Sequence, residues 1–553
     1  MKYLNYKFTK ILSAFALVVL VGSCSMFDLD VNKDPNNPIT GSPNLLLANI
    51  EVAIFSTFAG LEGDMEAYVG LIGTQATSRW DLQSTNYDGT WNDLYNGPLK
   101  DLEGLIAASS ANPTYLGIAQ TLKAYTYGSM VDMWGDIPFS EASKGDDVAN
   151  AIKQPKFDKD ADVYTAVLKL LDDAIVNLAK PTPVAVTGDL IYAGSSAKWL
   201  RLATTMKLKF LMTGRKGISG ADATIKQMLT AGGFISGAGD DFKFTFSKDP
   251  TSVRHPIYTG AYTGGEFDYT YICEQLIMES HLDLDPRIRF YFRNQTVDRL
   301  DLNDPTSRGS APLGGKWGYI PTTRWYDSLR VRGFDSIYIN GLFGRDRGDG
   351  TGIPADGSLR TLPGVYPAGG FYNSPLTKNT IPAANAATGG GIFPALTDVN
   401  VNYYKIEAIL ALGATGDARA EFNSAMRSHI SRVVSFGLAT DATSVAPTTA
   451  VIDAYVNKWL ARYDAATTND NKLNVAMKQL WFSSWGNGFE IYNAYRRTGF
   501  PNTIDDLKNP SPKGATSYIW RFPYPNVELN LNNSITADQK ATKYWINKIF
   551  WNK

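Results

Sequence analysis

Apolar residues recur at helical spacing through several long windows, and this periodicity restricts the chain to a mostly helical fold. Tyr115, Ile118, Leu122, Tyr125 and Met133 fall on one stripe, which stops at Gly135 and Pro138. Val163, Val167, Leu170, Leu171, Ala174, Ile175 and Leu178 form a second. It lies behind Asp158 and Asp160, acids that suit a helix N-terminus. Trp199, Leu202, Met206 and Phe210 form a third, closed by Gly214. Tyr404 to Leu412 reads as a helix, Gly413 to Asp417 as a turn, and Ala418 to Val434 as the returning partner. Leu473 to Trp485 and Phe489 to Arg497 repeat that plan around Gly486-Asn487-Gly488.

These pairs have tetratricopeptide size, although the tetratricopeptide consensus does not recur at a fixed period. The expected architecture is a stack of tetratricopeptide-like helix pairs. Between 232 and 399 the long stripes vanish and Gly, Pro, Asn, Asp and aromatics dominate. Long irregular stretches in compact proteins are usually functional, so this region reads as a working surface folded onto the frame. The expected organisation is a leader over 1–23, a tether over 24–40 and a helical frame over 41–231. A loop-rich, aromatic-rich region follows over 232–399, and helical hairpins over 400–553 complete the same domain.

The first residues are an address rather than part of the fold. Lys2, Lys7 and Lys10 precede an apolar run from Ile11 to Val21, and Gly22-Ser23-Cys24 follows. A Cys placed directly after that run resembles a bacterial lipoprotein cleavage site, which makes Cys24 the acylated first residue of the mature chain. Loss of residues 1–23 removes three lysines and no acid, moving the formal charge from −1 to −4. No later stretch reads as long and apolar enough to cross a bilayer, so the acyl chains would be the anchor. Asp28, Asp30 and Asp34 with Pro35 and Pro38 make the following segment a polar, extended tether. With Cys24 acylated, Cys273 has no partner for a disulfide and reads as a small buried hydrophobe on a helix.

The balance of 53 basic against 54 acidic residues excludes the broad basic field of a nucleic-acid binder. His255, His281 and His429 show no metal-ligand spacing, and His429 falls on the core stripe of Phe422, Met426 and Val433. No G-x-S-x-G elbow occurs, and Asp346-Arg347-Gly348-Asp349-Gly350 lacks the alternating acids and final Glu of a calcium loop. No catalytic, metal or cofactor constellation emerges.

Five segments in order carry a resemblance over the full length. They are Asp34-Pro35-Asn36-Asn37-Pro38 before Leu45-Leu46-Leu47, and Leu122-Lys123-Ala124-Tyr125 leading to Met133-Trp134-Gly135-Asp136-Ile137-Pro138-Phe139. Next come Asp285-Pro286-Arg287 before Tyr291-Phe292, and Glu407 to Leu412 with Gly413. The last is Trp485-Gly486-Asn487-Gly488-Phe489-Glu490 with Tyr495 to Pro501. The chain thereby resembles the SusD/RagB-like outer-membrane lipoproteins of Bacteroidetes, in their second SusD-like branch. The resemblance implies a mostly α-helical SusD-like fold with four tetratricopeptide-like pairs and a loop-rich face. It also implies a lipid-anchored, cell-surface, non-catalytic protein that captures oligosaccharides, or in some relatives peptides. Such a protein passes its cargo to a SusC-like TonB-dependent transporter.

Most signature residues read as structural. Trp134 to Pro138 ends a helix with Gly and Pro, and Glu490 is expected to form a partly buried ion pair with Arg496 or Arg497. Sugar capture needs flat apolar rings beside amides and carboxylates. Two clusters offer that mixture: Trp80, Tyr87, Trp91 and Asn92 in the first, and Trp317, Tyr319, Trp325 and Tyr326 in the loop-rich region. Trp91, at helical spacing in Trp91-Asn92-Asp93-Leu94-Tyr95, fits a packed position equally well. Two other classes compete with nutrient capture. A helical secreted glycoside hydrolase would need two carboxylates facing across a cleft, and no motif points to such a pair. A pure scaffold would use its grooves to hold another protein.

Overall fold

The folded unit begins at Pro43 with α1 (Pro43–Tyr68) and continues through α2 (Asp88–Asn96), α3 (Pro98–Ala108) and α4 (Pro113–Trp134). Then come α5 (Asp160–Leu178), α6 (Ser196–Gly214) and α7 (Ala221–Ala231). The middle of the chain holds β1 (Phe242–Thr245), α8 (Pro256–Tyr262), α9 (Glu274–Asp283), α10 (Ile288–Tyr291), β2 (Phe292–Arg293), β3 (Leu362–Pro363) and β4 (Ile392–Leu396). Helices return as α11 (Asp398–Leu412), α12 (Ala418–Thr440), α13 (Thr449–Ala465), α14 (Asn469–Ser483) and α15 (Gly488–Thr498). Two short helices, α16 (Asn526–Leu531) and α17 (Ala537–Lys540), close the chain. This computed structural model describes residues 42–73, 82–145, 151–263, 271–293, 344–345, 347–348, 361–373, 388–505 and 518–552.

Local chemistry explains the helix limits. Asn112 caps α4 by accepting hydrogen bonds from Thr114 N and Tyr115 N, with Pro113 at the first helical position. Gly135 ends the same helix at a φ of +79°, a left-handed conformation that favours glycine. A Thr397–Asn400 capping box starts α11, and Gly413 ends it in the left-handed region. The helices then pack in sequence: α4 against α5, α5 against α6, and α11 against α12 and α14. Expected stripes and observed helices coincide at α4, α5, α6, α11, α12, α14 and α15.

Helix α1 was not anticipated, and it corrects the expectation that nothing beyond the leader is apolar enough to span a bilayer. An 18-residue window within it has a mean hydropathy of 1.5. Its packing makes it a core helix nonetheless. Glu51, Glu62 and Glu66 are buried on it, and α3 and α15 lie against it. A Cβ on Gly488 would sit 2.6 Å from the Glu66 amide nitrogen, so glycine is what lets α15 approach.

The sheets are minor. β1 pairs antiparallel with β4, with an irregularity between Phe242 and Phe244, and β2 pairs antiparallel with β3. Aromatic rings knit β1 and β4 to the helices: Phe55 lies 5.1 Å from Phe242 and 5.2 Å from Phe244 of β1, and 6.1 Å from Phe393 of β4.

Buried ion pairs join distant segments, and one expected pairing is replaced. Glu490 binds Lys209 Nζ at 2.6 Å and accepts the Tyr404 hydroxyl proton, whereas Arg497 binds Glu407 at 2.8 Å. Arg496 donates to Trp520 O and Asn493 instead. Glu490 stands in the first turn of α15 and the two arginines in the last. Their separation along the axis, about 1.5 Å per residue, is too long for a direct pair. Arg432 bridges Asp241 and Asp398, each at 2.6 Å, and Arg287 is held by Asp285 at 2.6 Å. His429 is buried beside that guanidinium, its Nδ1 3.0 Å from Arg287 Nη1. Cys273 is buried too, at the N-terminal boundary of α9.

Candidate functional site

The first aromatic cluster divides between core and surface. Tyr87 is 1% exposed and Trp91 is 2% exposed, so neither presents a ring face to a ligand. Burial removes the exposed face that a ligand-contact role needs at Tyr87, and at Trp91 it matches the packed alternative. Tyr87 lies 4.8 Å from Phe522, and its hydroxyl is 3.2 Å from that of Tyr68 and donates to Asp64 at 3.4 Å. Burial and the nearby Asp64 carboxylate hold its phenol well above the usual range. Trp91 stacks against Phe157 at 5.8 Å, meets Trp134 edge-on at 5.3 Å and donates its indole N–H to Glu528 at 2.9 Å. The physical reason is the helical period of α2: Trp91 and Leu94 share its inner face, while Asn92, Asp93 and Asn96 share the outer one.

Asn92 is exposed and lines an open depression of about 460 Å³ with Asp93, Asn96, Pro98 and, across α1, Ser56 and Thr57. Among the described residues no aromatic ring lines this depression. Trp80, Trp317, Tyr319, Trp325, Tyr326 and the acylation candidate Cys24 lie outside the described residues.

What the structure does bring together is the chain on either side of those residues. Gly73, just before 74–81, donates its amide to Tyr271 O at 2.7 Å. A Cβ on Gly73 would stand 3.1 Å from Arg345 O, so the two backbones touch. Arg345, just after 294–343, donates its amide to Ile272 O at 3.1 Å and accepts from Glu274 N at 2.9 Å. Its guanidinium lies 4.3 Å from the Tyr271 ring centre. Arg347 extends the junction, donating to Tyr68 O at 2.5 Å and to Asp505 O at 2.9 Å, with Tyr518 5.7 Å away. Gly73, Tyr271, Arg345, Arg347, Asp505 and Tyr518 therefore meet in one buried knot.

Sequence reading missed the two arginines at this knot, both of them buried. The available signal is the glycine-flanked run Gly344-Arg345-Asp346-Arg347-Gly348, which overlaps the calcium-loop candidate Asp346 to Gly350. Asp346 and Asp349 lie outside the described residues, and Arg347 serves as a backbone clamp. Among the described residues no three His, Cys, Asp or Glu side chains gather where a metal ion could be held.

The histidines behave as packing groups. His255 Nδ1 accepts the Ile257 amide proton at 3.2 Å and so caps α8, while burial pushes the imidazole down to about 3. Burial, reinforced by Arg287 and Arg432, holds His429 well below the usual range. Both shifts favour the neutral imidazole.

Comparison with known proteins follows the same outline. Residues 35–308 match the SusD-like family described as starch-binding and associating with the outer membrane. Residues 427–547 match the SusD and RagB outer-membrane lipoprotein family. The chain belongs to the SusD/RagB-like family. This SusD/RagB-like protein is an outer-membrane, nutrient-binding lipoprotein, and proteins of its family bind without catalysing a reaction.

Solved structures share its fold. A chitin-binding protein superposes with a TM-score of 0.67 at 19% identity, covering 93% of this chain and 100% of its own. A SusD/RagB family protein from Bacteroides thetaiotaomicron gives 0.67 at 19% identity, with 93% and 99% covered. A chitin-binding SusD homologue from Flavobacterium johnsoniae gives 0.65 at 16% identity, again over 93% and 99%. No curated protein matches the chain in sequence.

Proposed function

We propose that this lipoprotein captures oligosaccharides on the face adjoining the Gly73–Arg345 knot and delivers them unchanged to a SusC-like TonB-dependent transporter. Acylation at Cys24 holds it on the outer membrane, with the folded unit on the cell surface. The observation that carries the reading is the contact between Gly73 and Arg345. It joins the chain just before 74–81, which includes Trp80, to the chain just after 294–343, which includes Trp317, Tyr319, Trp325 and Tyr326. Rings carried on both segments would offer flat apolar faces to one ligand, each ring able to cover about 150–250 Å². The depression at Asn92 adds amide and carboxylate groups of the kind that bind sugar hydroxyls. Two of the similar structures are of chitin-binding proteins, which supports a glycan over a peptide as cargo.

The test is an affinity screen of the purified mature protein against chitin oligosaccharides, starch, other polysaccharides and peptides, with reducing ends monitored. Saturable binding to a glycan without release of reducing sugar is the expected result. Binding to peptides alone would replace the glycan reading, and absence of any ligand would overturn capture altogether. Co-purification of the transporter from solubilised outer membranes tests delivery.

A further inference from the structure

One end of the helical frame exposes a group of aliphatic side chains. The first turn of α1, the last turns of α3 and α5, the start of α4 and the loop over 179–195 meet there. Asn112 donates to Val184 O at 3.0 Å, the hydroxyls of Thr114 and Thr182 lie 2.6 Å apart, and Leu190 N donates to Glu51 at 2.7 Å. Antiparallel packing brings the end of α3 to the same place: Asn49 of α1 donates to Asp101 of α3 at 2.8 Å, and Pro98 faces Thr57 one depression away. Leu45, Val176, Val184 and Leu190 are each more than half exposed at this end. Through 104–113 and 176–190 the charged residues are Lys180, which is exposed, and Asp189, which is buried. Exposed apolar side chains scattered singly carry no message, but a grouped set with so little charge marks an interaction surface.

The occupant is indicated by where the chain enters. The folded unit begins at Pro43, two residues before Leu45, and the acylation candidate is Cys24. A tether of that length, even fully stretched, reaches no more than about 65 Å at 3.3–3.6 Å per residue. Relaxed, it holds its ends on the order of 20–25 Å apart. An acyl anchor at Cys24 would limit how far this end of the frame can stand from the bilayer and so raise the local concentration of lipid at it. We propose that the Leu45–Val184–Leu190 end of the helical frame rests on the outer-membrane lipid surface, its aliphatic side chains in the headgroup region and Lys180 among anionic headgroups. The docked frame then leaves its other surfaces free of the bilayer. This inference rests on lipid attachment at Cys24.

The test uses the acylated full-length protein on vesicles of phosphatidylethanolamine and phosphatidylglycerol. Val184→Cys and Leu190→Cys are labelled separately with an environment-sensitive fluorophore, and Val451→Cys, also exposed, serves as the reference. Cys273 is buried and stays unlabelled. At 184 and 190 the expected result is a blue shift, an intensity gain of at least twofold and quenching by headgroup-spin-labelled lipid. At 451 the emission stays that of the protein in buffer. Emission at 184 and 190 indistinguishable from that at 451, with the protein floating on the vesicles, overturns the docking proposal alone. Failure to float overturns acylation itself. Probes silent on vesicles but shielded from aqueous quencher in transporter-containing outer membranes would make this end a protein interface and refute the lipid contact.

Discussion

Trp91 donates its indole N–H to the Glu528 carboxylate at 2.9 Å, joining the second helix of the fold to the chain's last segment. The indole is enclosed by Trp134, Phe157 and Tyr95, so it closes the seam between the two ends of the protein. Trp91→Ala should destabilise the fold by about 3–5 kcal/mol, and Trp91→Phe, which keeps most of the ring but loses the charged hydrogen bond, by about 1.5–3 kcal/mol. Denaturant titration checks both. Ligand affinity, measured well below the melting temperature, should stay at the parent value. A tenfold loss of affinity in the stably folded Trp91→Phe protein would return the residue to the binding site.

Glu407 and Arg497 are fully enclosed, with Arg215 Nε a further 3.5 Å from the same carboxylate. Removing one member leaves its partner charged and buried. Glu407→Leu should therefore cost about 3–5 kcal/mol, and adding Arg497→Met should recover a large part of it. Urea midpoints of the two single variants and the double variant measure the coupling. Additive losses would show that each side chain acts through packing rather than through the other.

Acid should loosen the fold through His255. In the unfolded chain the imidazole takes a proton below its usual value of about 6.5. In the fold, burial holds its pKa to about 3, and protonating Nδ1 would break the cap on α8. A depressed histidine contributes stability above the unfolded pKa, and that contribution is lost as pH falls toward the folded one. The slope is up to about 1.4 kcal/mol per pH unit for one proton. His255→Asn keeps a cap acceptor without the titration. Its stability measured between pH 7 and pH 4 should fall less steeply than that of the parent, whatever its absolute value. Parallel slopes would show that the imidazole titrates normally.

Two glycines in helices should respond to alanine with opposite sign. Gly60 of α1 is exposed, and a Cβ there would meet nothing within 4 Å. Gly60→Ala should stabilise by about 0.5–1 kcal/mol through lost chain entropy. At Gly488 the added carbon would press within 2.6 Å of the Glu66 backbone nitrogen and 2.9 Å of Glu62 O. Backbone cannot swing aside as a flexible side chain can, so Gly488→Ala should destabilise by about 1–3 kcal/mol. Thermal melts of the two variants decide the matter.

Helical stripes bounded by cap residues were legible wherever one face is buried, as in α4, α5 and α6. Helix α1 escaped because a run such as Asn44-Leu45-Leu46-Leu47 puts apolar groups on both faces, while its buried acids read as solvent-facing. Glu490 could not be matched to Lys209 from sequence, since the partner arrives on a helix from another part of the chain. The same limit governed the site. A Trp beside Asn and Asp reads as a sugar platform until the helix phase is known, and in α2 that phase turns the ring inward and the amides outward. The knot at Gly73 and Arg345 left no periodic trace because it is built from backbone hydrogen bonds between loops.

That knot makes the last prediction sharp. If Trp80 and Trp325 grip one ligand, each substitution to Ala should weaken glycan binding about tenfold, equivalent to about 1.4 kcal/mol. The double variant should fall short of the product, because loss of one ring loosens the hold of the other. Gly73→Val probes the shared root: its side chain would crowd Arg345 O at 3.1 Å and Tyr271 O at 3.3 Å and force the two segment ends apart. Affinity should drop at least threefold in that variant while the melting temperature moves by only a few degrees, because the knot is a small part of the core. Calorimetric titration of all four proteins with one glycan supplies the comparison. Full affinity in the Trp80→Ala/Trp325→Ala protein would show that the cargo is held elsewhere.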